Sequence, residues 1–298
     1  MGKSCNLPTQ FLRIFPNGNK DRMLLDFFST LPNLSLWEVI PAFLLVFMRL
    51  APILAMAPFL GAKLAPGMAR VGLGLILSLL FLPYIVIHIQ GPLIFDGHFI
   101  LYSLKEILIG FILGFFITIP FYIAQASGII VDYLRGSSIM QAQDPSLQTQ
   151  ASPIGIFYNT ILIFLFFQVD GPFLFFNALL KSYAAVSPTG WIHPNFFHAE
   201  TPFWKMSFDL INQIISIAIQ LSAPVLVAIL MAEMFLGIAN RLAPQVQIAF
   251  LGMSIKSLLG LTLLWASWFF ILKQFTRQTF DWVKVIETIA LYLKSATA

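Results

Sequence analysis

A chain of 298 residues has the length of one or two soluble domains. Its composition excludes them: 58% of residues are hydrophobic, 10% are charged, and mean hydropathy is +0.85, where ordinary globular chains run at roughly 45–50% and about 25%. The formal charge of +4 comes from 17 basic and 13 acidic residues with no dense basic cluster, so it reads as membrane orientation and gives no footprint for nucleic acid.

Residues 1–35 form a mixed N-terminal arm. It has no continuous apolar stretch before Leu36 of the kind a secretory signal carries, so insertion through internal segments is expected. The arm holds the single cysteine, Cys5, which leaves no intrachain disulfide and no thiolate metal site.

A spanning helix needs about 20 predominantly apolar residues. Six runs qualify, at residues 37–60, 68–90, 107–131, 154–180, 210–238 and 248–273. The expected fold class is therefore an all-α, polytopic membrane protein. Its expected organisation is the arm, a membrane domain over 36–273, and a C-terminal amphipathic tail over 274–298. In that tail Asp281, Lys284, Glu287 and Thr288 fall mostly on one helical side, and Trp282, Ile286, Ile289 and Leu293 mostly on the other, as in a helix lying at an interface.

With both termini inside, the inside segments collect Lys3, Arg13, Lys20, Arg22, Lys105, Lys181, Lys205, Lys273, Arg277, Lys284 and Lys294. The outside loops collect only Lys63, Arg70, Arg135 and Arg241, an asymmetry that sets the orientation. Pro52, Pro58, Pro83, Pro120, Pro153 and Pro224 lie in the apolar runs, where each removes a helix hydrogen bond and predicts a bend or break. The aromatics Trp191, Phe196, Phe197, Phe203 and Trp204, between the fourth and fifth runs, read as an interfacial belt.

Catalysis finds little support. His88, His98, His193 and His198 lie in or beside loops without a carboxylate or cysteine cluster, and there is no phosphate-binding glycine loop or nucleophile elbow, so no enzyme activity, metal or cofactor is expected. The informative polar residues are those in or beside the runs. Arg49 stands mid-run, where an arginine costs about 2.5–3.5 kcal/mol on insertion scales and so must face protein, water or a counter-charge. For Glu106, Asp170, Glu233 and Lys256 a structural ion pair is the expectation, with the pairing left open. Gly110 and Gly114 form a small-xxx-small pair, and Gly252 and Gly260 lie on roughly one face of the last run; all four read as helix-packing positions.

The main interruption is QASGIIVDYLRGSSIMQAQDPSLQTQ, residues 125–150. Asp132 and Arg135 have the spacing of an intrahelical pair. After them, Gly136, Ser137 and Ser138 are small, Met140 is adaptable, and Asp144 and Pro145 favour a turn. Such a polar element at membrane depth requires protein or water around it, and predicts a gate or plug.

Three stretches carry a family resemblance. MRLAPILAMAPFLGAKLAPGMARVGLGLILSLLFLP (48–83), KEILIGFILGFFITIPFYIAQASGIIVDYLRGSSIMQAQDP (105–145) and LGIANRLAPQVQIAFLGMSIKSLLG (236–260), the last with an NRxxPQ segment that contains Arg241, are similar in order and spacing to the FliR/SctT export-gate family of type III secretion. Together they cover most of residues 45–272. The run from Asp132 into Gly136, Ser137 and Ser138 is similar to the virulence branch (SctT, YscT, SpaR, EscT), whereas flagellar FliR members more often show a Gln-Met-Gly type run. The resemblance implies kinked helical hairpins in a conical hetero-oligomer in the bacterial inner membrane, with five SctR/FliP-type and four SctS/FliQ-type subunits. An SctU/FlhB-type switch protein lies at the cytoplasmic entrance, unfolded secreted proteins pass through the centre, and the plug falls at about 127–144. Two alternatives stand beside it: a secondary transporter or small-solute permease, although no internal repeat of the kind transporters carry is evident, and a flagellar FliR protein.

Overall fold

The computed structural model describes residues 36–61, 65–86, 89, 95–136, 152–191, 201–242, 248–278, 282 and 288. The N-terminal arm, Ser137, Ser138, Met140, Asp144, Pro145 and most of the tail lie outside them. Among the described residues the secondary structure is helical: α1 Leu36–Met56, a 3-10 turn Pro58–Leu60, α2 Gly67–Val86, α3 Gly97–Leu134, α4 Pro153–Gln168, α5 Gly171–Ala185, α6 Pro202–Leu242, α7 Ile248–Ala266 and α8 Trp268–Gln278. Four of them (α1, α2, α3 and α6) are long and apolar enough to cross a membrane, and up to six spans result if each bent pair, α4 with α5 and α7 with α8, counts as one.

Most of the prolines do not break their helices. Pro52, Pro83, Pro120 and Pro224, together with Pro41, lie inside continuous helices, α3 running 38 residues and α6 running 41. Membrane helices tolerate proline where neighbouring hydroxyls satisfy the disturbed turn. Hydroxyls lie close to these prolines, Thr118 donating to the Phe115 carbonyl at 2.7 Å and Ser222 to the Ala218 and Ile219 carbonyls at 3.1 and 3.0 Å, although the carbonyls that Pro120 and Pro224 deprive of a helical donor are those of Phe116 and Gln220. Pro58 and Pro153 instead open helical turns, where the missing N–H has no intrahelical role. The breaks fall elsewhere. The fourth run is broken at Asp170, a non-glycine residue in the left-handed region (φ 56°) that precedes α5, and the last run bends by 60° at Ser267.

The chain forms two compact units. The first comprises Met1–Thr118, Val169–Ser207 and Asp281–Ala298, and the second Ile119–Gln168 and Phe208–Phe280. In the first, α1 packs on α2 and α2 on α5, around Leu45, Leu50, Ile53, Phe81, Ile85, Ile109 and Tyr183, all essentially without solvent exposure. Lipid is as apolar as leucine, so close contact rather than water exclusion decides such packing. Small residues supply it: a Cβ added at Gly110 would lie 2.1 Å from the Arg49 carbonyl oxygen, and one at Gly114 3.2 Å from Ile53 Cα. In the second unit Phe121, Val131, Tyr158, Leu162, Ile229 and Phe275 are buried, with Phe121 edge-on to Phe166 and Tyr158 edge-on to Phe275. Outward faces stay apolar, as at Ile76 and Leu79 on α2 and Met231, Met234 and Phe235 on α6.

Candidate functional site

Arg49 organises the first unit. It is fully buried, and its guanidinium grips Glu106 of α3 through two bonds, Nε to Oε2 at 2.5 Å and Nη2 to Oε1 at 2.9 Å. Its remaining donors reach the Val186 carbonyl (2.9 Å) and Ser182 Oγ (3.2 Å), and its plane lies 3.9 Å from the Tyr183 ring centre. Lys105 adds a second cation 3.1 Å from Glu106, and donates to the carbonyls of Ser187, Pro188 and Gly190 at 2.7–2.9 Å. Two cations thus meet one carboxylate, and the surplus charge faces the carbonyls that follow α5, where helix geometry concentrates negative potential. Bidentate pairing and full satisfaction are the conditions under which a buried ion pair is sustainable. The network ties α1, α3 and the end of α5 together.

The second unit carries the polar turn. α3 ends at Leu134, and Arg135 and Gly136 turn away from it, Gly136 in a positive-φ conformation (φ 89°) that suits glycine. Asp132 is 2% exposed. Its Oδ2 accepts from Ser152 Oγ (2.6 Å) and from the Ile154 N–H (2.9 Å), while Arg135 Nη1 lies 3.7 Å from its Oδ1. All the donors that open α4 are thereby satisfied. Pro153 has none, Ile154 binds Asp132, Gly155 binds Ser152 Oγ at 2.9 Å, and Ile156 binds the Ser152 carbonyl at 2.9 Å. Asp132 thus ties the two ends of the 137–151 segment. Below this tie α3 and α4 cross through two glycines, since a Cβ on Gly128 would come within 2.5 Å of the Gly155 backbone. The Arg135 stem lies over Gly260 of α7, where a Cβ would be 2.7 Å from Arg135 Cγ and Cδ.

Residues 40–281 match the family described as Bacterial export proteins, family 1. The chain belongs to that family. Among the relatives of this chain are Yop proteins translocation protein T of Yersinia pestis, 37% identical over 162 residues (54% of this chain, 60% of the relative), and flagellar biosynthetic protein FliR of Bacillus subtilis, 28% identical over 222 residues (74% and 84%). Surface presentation of antigens protein SpaR of Salmonella typhimurium is 28% identical over 211 residues (71% and 76%). The match spans 60% of the length of the Yersinia relatives. Family membership and the apolar helices make this chain a multi-pass membrane protein of the FliR/SctT family.

The remaining polar residues occupy separate places in the chain. Glu233 of α6 and Lys256 of α7 pair at 2.5 Å. Asp170 makes no ion pair among the described residues, and its carbonyl accepts from Phe173 and Leu174 at the start of α5. Arg241 stands exposed in the last turn of α6, where a cation complements the helix C-terminus. Gly252 faces Leu236, whose Cδ1 would be 3.2 Å from an added Cβ. Sequence reading missed Ser152, Gly128 and Gly155. Ser152 followed by Pro153 is an N-cap and N1 signature that could have revealed the first, whereas a lone glycine in an apolar run gives no comparable signal.

Proposed function

We propose that this chain is a gate and scaffold subunit of the export channel of a type III protein-secretion apparatus, in the virulence branch, seated in the bacterial inner membrane. Its partners are SctR/FliP-type subunits (five), SctS/FliQ-type subunits (four) and an SctU/FlhB-type switch protein, and unfolded secreted proteins are the cargo. The closing element is the plug at about residues 127–144, which Asp132 and Arg135 brace. The observation that carries the reading is the Asp132 tie: a polar segment between two apolar helices is fixed at both ends by one buried carboxylate. Export names on the relatives, and higher identity to the Yersinia protein than to Bacillus FliR, support it. The Arg49–Glu106 network acts as scaffold, holding α1, α3 and α5 in register, and no catalytic role enters the reading.

Co-expression with SctR- and SctS-type subunits followed by mild-detergent extraction tests it. The expected product is a stable hetero-oligomer of ten core subunits. A monomer or homodimer that binds a small solute would favour a permease instead.

A further inference from the structure

Where α7 bends into α8, a cleft of about 500 Å³ opens between α8 and the middle of α6. Lys273 and Arg277 line it, four residues apart and therefore on one face of α8. Both are exposed, and among the described residues neither makes an ion pair and no acidic side chain lines the cleft. Gln220 from α6 and Gln274 from α8 add amide donors, while Leu221, Pro224 and Phe270 supply an apolar flank. Paired cations beside a greasy wall match an amphiphile with an anionic head. A free anion would leave Phe270, 71% exposed, without a partner.

We propose that this cleft binds an anionic phospholipid, its phosphate held by Lys273 and Arg277 and its acyl chains laid along Phe270 and Pro224. The Lys/Arg asymmetry of the sequence assigns this end of the helix to the cytoplasmic side, the leaflet face where basic pockets between membrane helices take acidic head groups. The proposal goes beyond the gate reading and is independent of it, because lipid retention is measured without secretion.

The test is native mass spectrometry of the full-length protein, stripped of lipid in detergent and titrated with dioleoylphosphatidylglycerol, dioleoylphosphatidylcholine or inorganic phosphate. One phosphatidylglycerol is expected to be retained at concentrations where phosphatidylcholine is not, and millimolar phosphate should leave it in place. Surface cations contribute about fivefold each to anionic-lipid affinity, so Lys273→Gln with Arg277→Gln should weaken retention by about 25-fold. Lys205→Gln, a cation outside the cleft, should leave it unchanged. Equal retention of the two lipids, displacement by phosphate or by a short polyglutamate peptide, an unaltered double variant, or the same loss with Lys205→Gln would each overturn the proposal. The head-group comparison uses the wild-type protein alone, so it decides the matter even if the double variant fails to fold.

Discussion

Asp132, in the last turn of α3, accepts the backbone N–H of Ile154, the second residue of α4, at 2.9 Å. The same oxygen takes the Ser152 hydroxyl, so one buried carboxylate performs work that an N-cap side chain usually shares with water. Asp132→Ala leaves the Ile154 donor and the Ser152 hydroxyl without their acceptor. We predict a stability loss of about 2–3 kcal/mol for Ala, as for other hydrogen bonds to a charged group. Asp132→Asn, which keeps one acceptor oxygen, should lose less than half of that. Thermal unfolding in detergent measures both, and equal losses would show that the cap contributes little.

Arg49 and Glu106 lie 57 residues apart in the chain and pair with no solvent exposure on either side chain. Removing one partner of a buried pair typically costs about 3–5 kcal/mol, because the other charge stays behind. Arg49→Met and Glu106→Leu should therefore each sharply reduce the yield of monodisperse protein in size-exclusion chromatography. The double variant is expected to recover more than the sum of the single losses allows. A double variant as poor as the product of the two singles would mean that they act independently.

How much of this was legible in the sequence depends on the range of each interaction. Arg49 was readable as a residue in need of a partner, since a mid-run arginine is costly wherever it points. That Glu106 is the partner was not, because the pairing follows from the register of α1 against α3, which Gly110 sets by close contact. The spacing of Asp132 and Arg135 predicted their proximity, yet the shorter contacts of Asp132 run forward to Ser152 and Ile154, 20 and 22 residues on. Helix existence followed from hydropathy alone. Helix breaks did not: proline was the obvious marker, yet Pro120 and Pro224 sit inside continuous helices, while the left-handed turn at Asp170 was marked by Asp170-Gly171-Pro172, a turn signature that an apolar run hides from a hydropathy reading.

The glycines give a graded test. At Gly110 and Gly128 an added Cβ would meet backbone atoms at 2.1 and 2.5 Å, and backbone cannot swing aside. Gly110→Ala and Gly128→Ala should each destabilise by at least about 1–3 kcal/mol, the range for overpacking. At Gly72 and Gly237 the same Cβ meets nothing within 4 Å, so alanine should be neutral or stabilise by up to about 1 kcal/mol through helix propensity. Parallel melting curves separate the two groups. A melting temperature for Gly128→Ala equal to wild type would refute the tight α3–α4 crossing.

The gate reading makes its sharpest demand on the segment between the two tied ends. Removing residues 137–143 spares the Asp132 cap, the Arg135 contact with Gly260 and the positive-φ turn at Gly136. The eight residues 144–151 still span up to about 26 Å at roughly 3.3 Å each, ample for ends joined through one carboxylate, so folding and assembly should persist. If the segment closes the channel, its loss should raise the conductance of the assembled complex in a planar bilayer and its permeability to small ions, since narrow constrictions gate by packing and dewetting. A deletion complex that assembles and stays as tight as wild type would place the closing element outside 137–143. A deletion variant that fails to assemble would point instead to a structural role for the segment.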